Sequence, residues 1–356
     1  MAQSRRNFLM TMGMVTAAAE AWSQTRGGRG ATSSSEEIPE PFTIVPTPDE
    51  APALPPADGP WKKLRAVQQK KVIDFNAHNW ETPTQGDDEE HAQMRGQRIV
   101  TDFTAQLVQS MDRLGIAKTN LSILGAWPQD FATMKEAASK YPGRFTLMGG
   151  VNQVWPRPTP TEAARIIRQQ LASGEAKGIG ESGLPRWEKP EDLKPVMDLA
   201  REFDVPVFSH TGPGGTLGYH GRGNYQAAWR GAERWAGLPE TYPDVKLVMI
   251  HMGGPYILDA YEWIRIAYMF ENVYVDTSKR SQPEIITMLV RDIGPEKVLY
   301  GSDWNRPAAK TYGLQALRPQ YQQWYSMNAI AEADITEDDR DMILYKNAMR
   351  LLKLSD

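Results

Sequence analysis

The chain has 356 residues, 41% of them hydrophobic and 24% charged, with a formal net charge of −4. That profile predicts a globular protein with a sizeable core and argues against nucleic-acid binding, which needs a basic stripe. No cysteine is present, which excludes disulfides, thiolate metal sites and a cysteine nucleophile.

The first element is a leader. SRRNFL at 4–9 sets Arg5 and Arg6 ahead of a short apolar run, MTMGMVTAAAEAW. The run is too short for a strong membrane span. Its pattern over 1–21 is similar to a twin-arginine export signal, so the mature protein is expected to be periplasmic or otherwise exported, with no stable membrane span. Residues 22–70 follow, first Gly/Ser-rich (GGRGATSSSEE) and then dense in proline (IPEPFTIVPTPDEAPALPPADGPW). Proline fixes φ and lacks a backbone donor, which predicts an extended arm outside the catalytic fold.

From Lys71 short apolar runs alternate with helical stretches. The predicted strands are KVIDFNAH, KTNLSILGA, RFTLMGGVN, AKGIGESG, VPVFSHTG, VKLVMIHMGG, VYVDTSK and KVLYGSD. In the first, alternation puts Asp74, Asn76 and His78 on one side and Ile73, Phe75 and Ala77 on the other. Among the helices, Phe103, Leu107 and Met111 share one face, and Ile166, Ile167 and Leu171 another. The closing helix, TEDDRDMILYKNAMRLLKL, takes Thr336 as its N-cap. Strand then helix, eight times over 71–356, predicts an α/β fold of the (β/α)8 TIM-barrel type, with an open doubly wound sheet as the competing topology.

Barrel enzymes place their sites at the C-terminal ends of the strands. At those ends stand Asn76 and His78, then Glu181, His210, His251 and Asp303, including three of only five histidines. Imidazole and carboxylate suit zinc and similar divalent ions. Arg222, Arg280 and Arg306 lie just past strand ends and are candidate cations for a substrate carboxylate. Trp80, Trp127, Trp155, Trp187 and Trp304 also follow strand ends, with Trp229 a little further on. Aromatic faces on that rim would stack on a sugar-like or aromatic ring. Two long loops, 81–98 and 211–225, are candidate lids; the second offers Tyr219, His220, Arg222 and Tyr225 as substrate contacts. His91 and His220 end no strand and read as loop residues rather than metal ligands.

The order of these residues, with YGSDW and the closing NAMRLL, resembles the amidohydrolase superfamily, in its amidohydrolase-related (type 2) branch, over roughly residues 71 to 353. The resemblance implies His78, His210 and Asp303 as a metal set, Glu181 as the strand-four ligand, and His251 as a ligand or catalytic acid/base. The branch carries Asp-x-His-x-His on strand one, and its first histidine is Asn76 here. A looser single-metal site, a site completed by Glu181, and loss of the metal are the arrangements left open. One divalent ion is the expected cofactor, zinc before manganese. The expected reaction is hydrolysis of a lactone, ester or amide of a ring-containing small molecule, with Asp303 taking the proton of water and His251 serving the leaving group or oxyanion. Non-oxidative decarboxylation of an aromatic or unsaturated acid is the alternative, and a non-catalytic binding protein on a degenerate barrel is the third reading. Asn76, Trp80, His220, Arg222, Tyr225, Arg280 and Trp304 are the expected substrate contacts. A homodimer is implied by the resemblance alone.

Overall fold

The computed structural model describes residues 43–46, 56–81, 99–123, 131–151, 158–181, 184, 187, 189–211, 232, 235–253, 257–304 and 323–355. The export signal over 1–21, the arm over 22–42 and 47–55, and nearly all of both candidate lids lie outside these residues.

Eight parallel strands form one sheet in chain order: β1 (Val72–Ala77), β2 (Ile116–Leu121), β3 (Phe145–Gly149), β4 (Ala176–Ile179), β5 (Val207–His210), β6 (Leu247–Ile250), β7 (Val273–Asp276) and β8 (Val298–Leu299). The sheet closes on itself. Phe75 N–H donates to the Tyr300 carbonyl at 2.8 Å, His78 N–H to that of Trp304 at 2.6 Å, and Asp303 N–H to that of Asn76 at 2.9 Å. The protein is therefore a (β/α)8 TIM barrel, and the open-sheet topology is excluded.

Local chemistry explains the surrounding helices. α1 (Thr104–Leu114) buries Leu107, Met111 and Leu114 at helical spacing and stops at Gly115, whose φ is +69°. A Cβ there would lie 2.7 Å from the Val67 carbonyl oxygen, so the turn needs glycine on both counts. α2 is Phe131–Ser139. α3 (Pro160–Ala172) starts from a capping box between Thr159 and Glu162, with proline at its first position. α4 (Lys194–Phe203), α5 (Ile257–Met269), α6 (Pro283–Ile293) and α7 (Gln323–Glu332) follow in chain order among the described residues. Thr336 caps the C-terminal helical run as expected, accepting from Asp339 N–H at 3.2 Å.

Inside the barrel, Ile73, Phe75, Met148, Phe208, Val248, Ile250 and Leu299 form one apolar cluster with Ala348, Leu351 and Leu352 of the last helix. The rings of Phe75 and Phe208 stack at 4.5 Å. Lys71, at the start of β1, lies over the Tyr345 ring, and Asn347 donates to the Val298 carbonyl at the start of β8. The C-terminal run thus covers the N-terminal mouth, and the other mouth is left for chemistry.

Two expectations change. The arm does not extend to residue 70: Pro60–Lys63 and Arg65–Gln68 are helical, and Trp61, Leu64 and Ala66 are buried in the outer core. Proline at a first helical turn is tolerated because its missing N–H would be unpaired there anyway, and Trp61 has a large apolar surface to bury. Nor does β1 alternate strictly. Between Asp74 and Ala77 it takes three steps while β2 takes two, from Thr119 to Leu121. One extra residue reverses side-chain parity. Ile73 and Phe75 face the barrel interior, Asp74 turns outward to Ser302 and Gln323, and His78 returns to the interior.

Candidate metal centre

Five side chains meet above the Phe75 and Phe208 layer: His78 past β1, Glu181 past β4, His210 at the end of β5, His251 past β6 and Asp303 past β8. His78 Nε2 is 3.2 Å from Glu181 Oε2 and 3.3 Å from Asp303 Oδ1. His251 Nε2 is 3.2 Å from Glu181 Oε1 and 3.7 Å from Asp303 Oδ2. His210 Nε2 stands 4.0 Å from Glu181 Oε1. Two residues arrive by left-handed backbone, His251 at φ +74° and Asp303 at φ +53°. Ile250 already faces inward, so a fully extended residue 251 would point out; the left-handed turn restores His251 to the centre.

Each imidazole is oriented by its far nitrogen. His78 Nδ1 meets the Ser122 carbonyl at 3.0 Å, and His210 Nδ1 meets that of Thr211 at 3.1 Å. A carbonyl can only accept, so both Nδ1 atoms carry hydrogen. His251 Nδ1 lies 2.6 Å from Ser278 Oγ, which donates to Asp276 Oδ1 at 2.7 Å, so this Nδ1 also donates. All three Nε2 atoms are left facing the centre, the orientation by which outer partners set metal-binding histidines.

The electrostatics agree. Burial works against ionising Glu181, but His251 and His78 hold it well below the usual carboxylate range. Burial likewise opposes the charge of Asp303, while Lys279 and His251 hold its carboxyl low. His210 is pushed down to about 3 by burial and by His251, so it is neutral and its Nε2 lone pair is open to a cation. For His78 burial opposes protonation, yet the carboxylates of Asp303 and Glu181 raise it to about 10. A proton there fills the place between two buried carboxylates that a metal ion would take. Glu181 Oε2 accepts no aligned hydrogen bond among the described residues, although His78 Nε2 is close. The ligand atoms of Glu181, His210 and His251, and those of His78, Glu181 and Asp303, lie within 4.8 Å of one another. Two carboxylates with three imidazoles are a donor set that fits a divalent ion.

Three expected substrate contacts have other work. Asn76 is fully buried, and its Oδ1 accepts from Ser122 Oγ at 3.3 Å, so it props the group behind His78. Arg280 is fully buried and its guanidinium donates to the carbonyls of His251 and Met252, bracing the turn past β6. Trp304 is 4% exposed and belongs to the outer core, while its backbone closes the barrel. A guanidinium or indole beside a rim is as readily drawn into packing as presented to a ligand. Trp80 lies in a short strand, Trp80–Glu81, paired with Ile99–Asp102; its side chain lies outside the described residues, as do His91, Trp127, Trp155, Tyr219, His220, Arg222, Tyr225, Trp229 and Arg306.

Sequence reasoning missed Lys279, whose Nζ is 3.1 Å from Asp303 Oδ2. The signal was present, because VYVDTSK ends on it. Ser122, Asp276 and Ser278 were missed too, and nothing in their neighbourhoods distinguishes them from ordinary strand-end residues.

A closed barrel whose strand ends converge three imidazoles on two carboxylates defines a barrel enzyme with a candidate metal site. The chain belongs to the amidohydrolase family, whose model matches residues 73–354. No curated protein matches it in sequence. Among solved structures it is similar to 5-carboxyvanillate decarboxylase from Novosphingobium aromaticivorans, complexed with manganese and 4-hydroxy-3-methoxy-5-nitrobenzoic acid, at 19% identity and a TM-score of 0.56, covering 82% of this chain and 98% of that one. A dihydroxybenzoic acid decarboxylase from Polaromonas sp. JS666, with bound manganese and 2-nitroresorcinol, is 18% identical at a TM-score of 0.53, covering 80% and 97%. A 2,6-dihydroxybenzoate decarboxylase from Rhizobium is 18% identical at 0.54, covering 80% and 99%. At such identities the likeness establishes the fold.

Proposed function

We propose that the protein is a metal-dependent, non-oxidative decarboxylase of a hydroxylated aromatic acid. The observation that carries this reading is the convergence of three Nε2 atoms on the Glu181 and Asp303 carboxylates. Barrels of the same fold that hold manganese and aromatic ligands support the lyase over the expected hydrolase. They also support manganese over zinc.

His78, Glu181, His210 and Asp303 would hold the ion, as the resemblance implied. When bound, it supplies positive charge for a substrate carboxylate and an adjacent ring oxygen. His251 is then the proton carrier. Its Nδ1–H is fixed by Ser278 and Asp276, so proton exchange is confined to Nε2, on the centre's side. Loss of carbon dioxide leaves an electron pair on the ring carbon, and a proton that His251 Nε2 first takes from a substrate hydroxyl and then gives to that carbon completes the exchange of C–C for C–H. His78, Glu181 and His251 are each 1% exposed, which keeps bulk water from competing.

Hydrolysis is the second reading, favoured by Asp303, which stays ionised and so can accept a proton from water. The manganese-loaded protein should release carbon dioxide from 2,6-dihydroxybenzoate or 5-carboxyvanillate without taking up oxygen from labelled water. Turnover of lactones, esters or amides with label uptake, and none of either acid, would overturn the lyase reading. Export is proposed on the sequence of 1–21 alone, and replacing Arg5 and Arg6 by lysine should leave the protein in the cytoplasm. A homodimer is proposed on the resemblance alone, and sedimentation at equilibrium checks it.

A further inference from the structure

Past the end of β1 lies a small three-stranded sheet with one member from the arm. Thr43–Pro46 pairs in parallel with Ile99–Asp102 over four positions, from Thr43 opposite Ile99 to Pro46 opposite Asp102. Ile44 and Val45 form a β-branched pair within a proline-dense stretch, and β-branched residues favour a strand. Pro46 ends the run on an edge strand, where a missing N–H costs least. On its other side Ile99–Asp102 pairs antiparallel with Trp80–Glu81 over only two positions. A two-stranded piece is marginal in water. The arm strand therefore supplies the larger share of the ladder that holds Ile99–Asp102.

Asp102 links this ladder to the centre. It stands opposite both Pro46 and Trp80, and its Oδ1 accepts from Thr104 N–H at 2.9 Å and from Thr104 Oγ1. Thr104 Oγ1 in turn accepts from Asn79 Nδ2 at 2.8 Å, and Phe103 N–H donates to the Asn79 carbonyl at 2.8 Å. Asn79 adjoins His78, whose own N–H is held by the Trp304 carbonyl. The backbone leaving β1 is thus gripped by Trp304 on the barrel side and by Phe103 and Thr104 outside it. Asn79 and Thr104 are both buried, so parting them would strand a polar group away from water, and the two move together. A strand that is either in the ladder or out of it is the two-state element that such a coupling needs.

We propose that Thr43–Pro46 is a strap that positions His78 from outside the barrel, with Asp102, Thr104 and Asn79 as the positioning residues through which it acts. The inference goes beyond the decarboxylase reading and holds for whichever reaction the centre performs. The strand lies past residue 21, so removal of the proposed export signal leaves it in the mature chain. The arm then has a task beyond tethering, because the first ligand is fully set only when a segment preceding the barrel has docked.

The test uses the full chain. Ile44→Pro/Val45→Pro removes the backbone donors of both central positions, and Ile44→Val/Val45→Ile keeps them. Thr104→Val removes the hydroxyl between Asp102 and Asn79, and Thr104→Ser keeps it. Amide hydrogen exchange is followed in metal-free protein at His78, Trp80–Glu81 and Phe103, with Leu247–Ile250 as internal reference, and manganese affinity is measured by calorimetry. The proline pair should speed exchange at the first three sites and weaken manganese, each roughly tenfold, with Leu247–Ile250 unchanged. Thr104→Val should also speed exchange at His78 and weaken manganese, adding little to the proline pair because both act on one path. Ile44→Val/Val45→Ile and Thr104→Ser should behave as wild type. Unaltered exchange at His78 in the proline pair, an equal rise at Leu247–Ile250, weakening by either conservative variant, full additivity, or unaltered manganese affinity would each overturn the proposal. Should the proline pair fail to fold, Thr104→Val against Thr104→Ser decides on the same two readouts. If wild type binds no manganese, the metal assignment fails, and exchange at His78 alone decides the strap.

Discussion

Ser278 Oγ lies 2.6 Å from His251 Nδ1 and donates its own hydrogen bond to Asp276 Oδ1. Burial pushes Asp276 up to about 6, so at neutral pH it is mainly ionised and accepts that hydrogen bond. Ser278→Ala removes the acceptor that fixes the imidazole. We expect kcat to fall roughly ten- to hundredfold, a usual cost of losing such a partner, with manganese content unchanged. Steady-state rates and elemental analysis on one preparation check this, and an unaltered kcat would remove His251 from the proton path.

The raised pKa of His78 makes two predictions about the metal-free protein. Its folded value of about 10 lies above the ordinary 6.5. The stabilisation is complete below about 6.5 and is lost as pH climbs through 10, so the metal-free protein should weaken steadily over that window. Manganese should displace this proton, so binding near neutral pH releases about one proton per ion. Calorimetry in buffers of different ionisation enthalpy measures the release. His78→Ala should abolish both the release and the binding, as should His210→Ala for binding.

Asp74 binds no ligand but holds the segment that carries Asp303. It accepts from Ser302 N–H at 3.0 Å, Ser302 Oγ at 2.6 Å and Gln323 Nε2 at 2.9 Å. Burial raises it to about 7. Its ionisation therefore costs stability increasingly from pH 4 to 7, the opposite sense to a salt-bridged carboxylate. Asp74→Asn sets an NH2 against donors. It should cost about 1–3 kcal/mol, flatten that part of the stability profile and weaken manganese binding. Urea unfolding across pH would show whether the profile flattens.

Trp61 is 2% exposed, and its backbone N–H donates to Asn328 Oδ1 at 3.1 Å. Trp61→Ala should destabilise by about 3–5 kcal/mol while leaving the manganese stoichiometry of the folded fraction intact. A loss of under 1 kcal/mol in denaturant would show that this helical turn is an appendage rather than core.

The barrel was legible because its period is long and its strands read as apolar runs that stop on polar residues. His78, Glu181, His210, His251 and Asp303 were found together for that reason alone. What escaped was geometry set between strands. The extra residue opposite Thr119 and Leu121, which frees His78 from the face of Asp74, leaves no mark in VIDFNAHNW. The left-handed turn at Lys279 falls on a residue with no intrinsic preference for it. Trp61 was hidden by the prolines around it.

The seam between β1 and β8 has a consequence for biogenesis. His78 follows the first barrel strand and Asp303 follows the last, yet they stand side by side across the hydrogen bond from Phe75 to Tyr300. During translation no nascent fragment owns a full ligand set until the eighth strand has emerged, and such distant pairings are slow to form. Ion capture would therefore report completion of the entire chain, and a single backbone cut between these strands that let the halves part would surrender the ion.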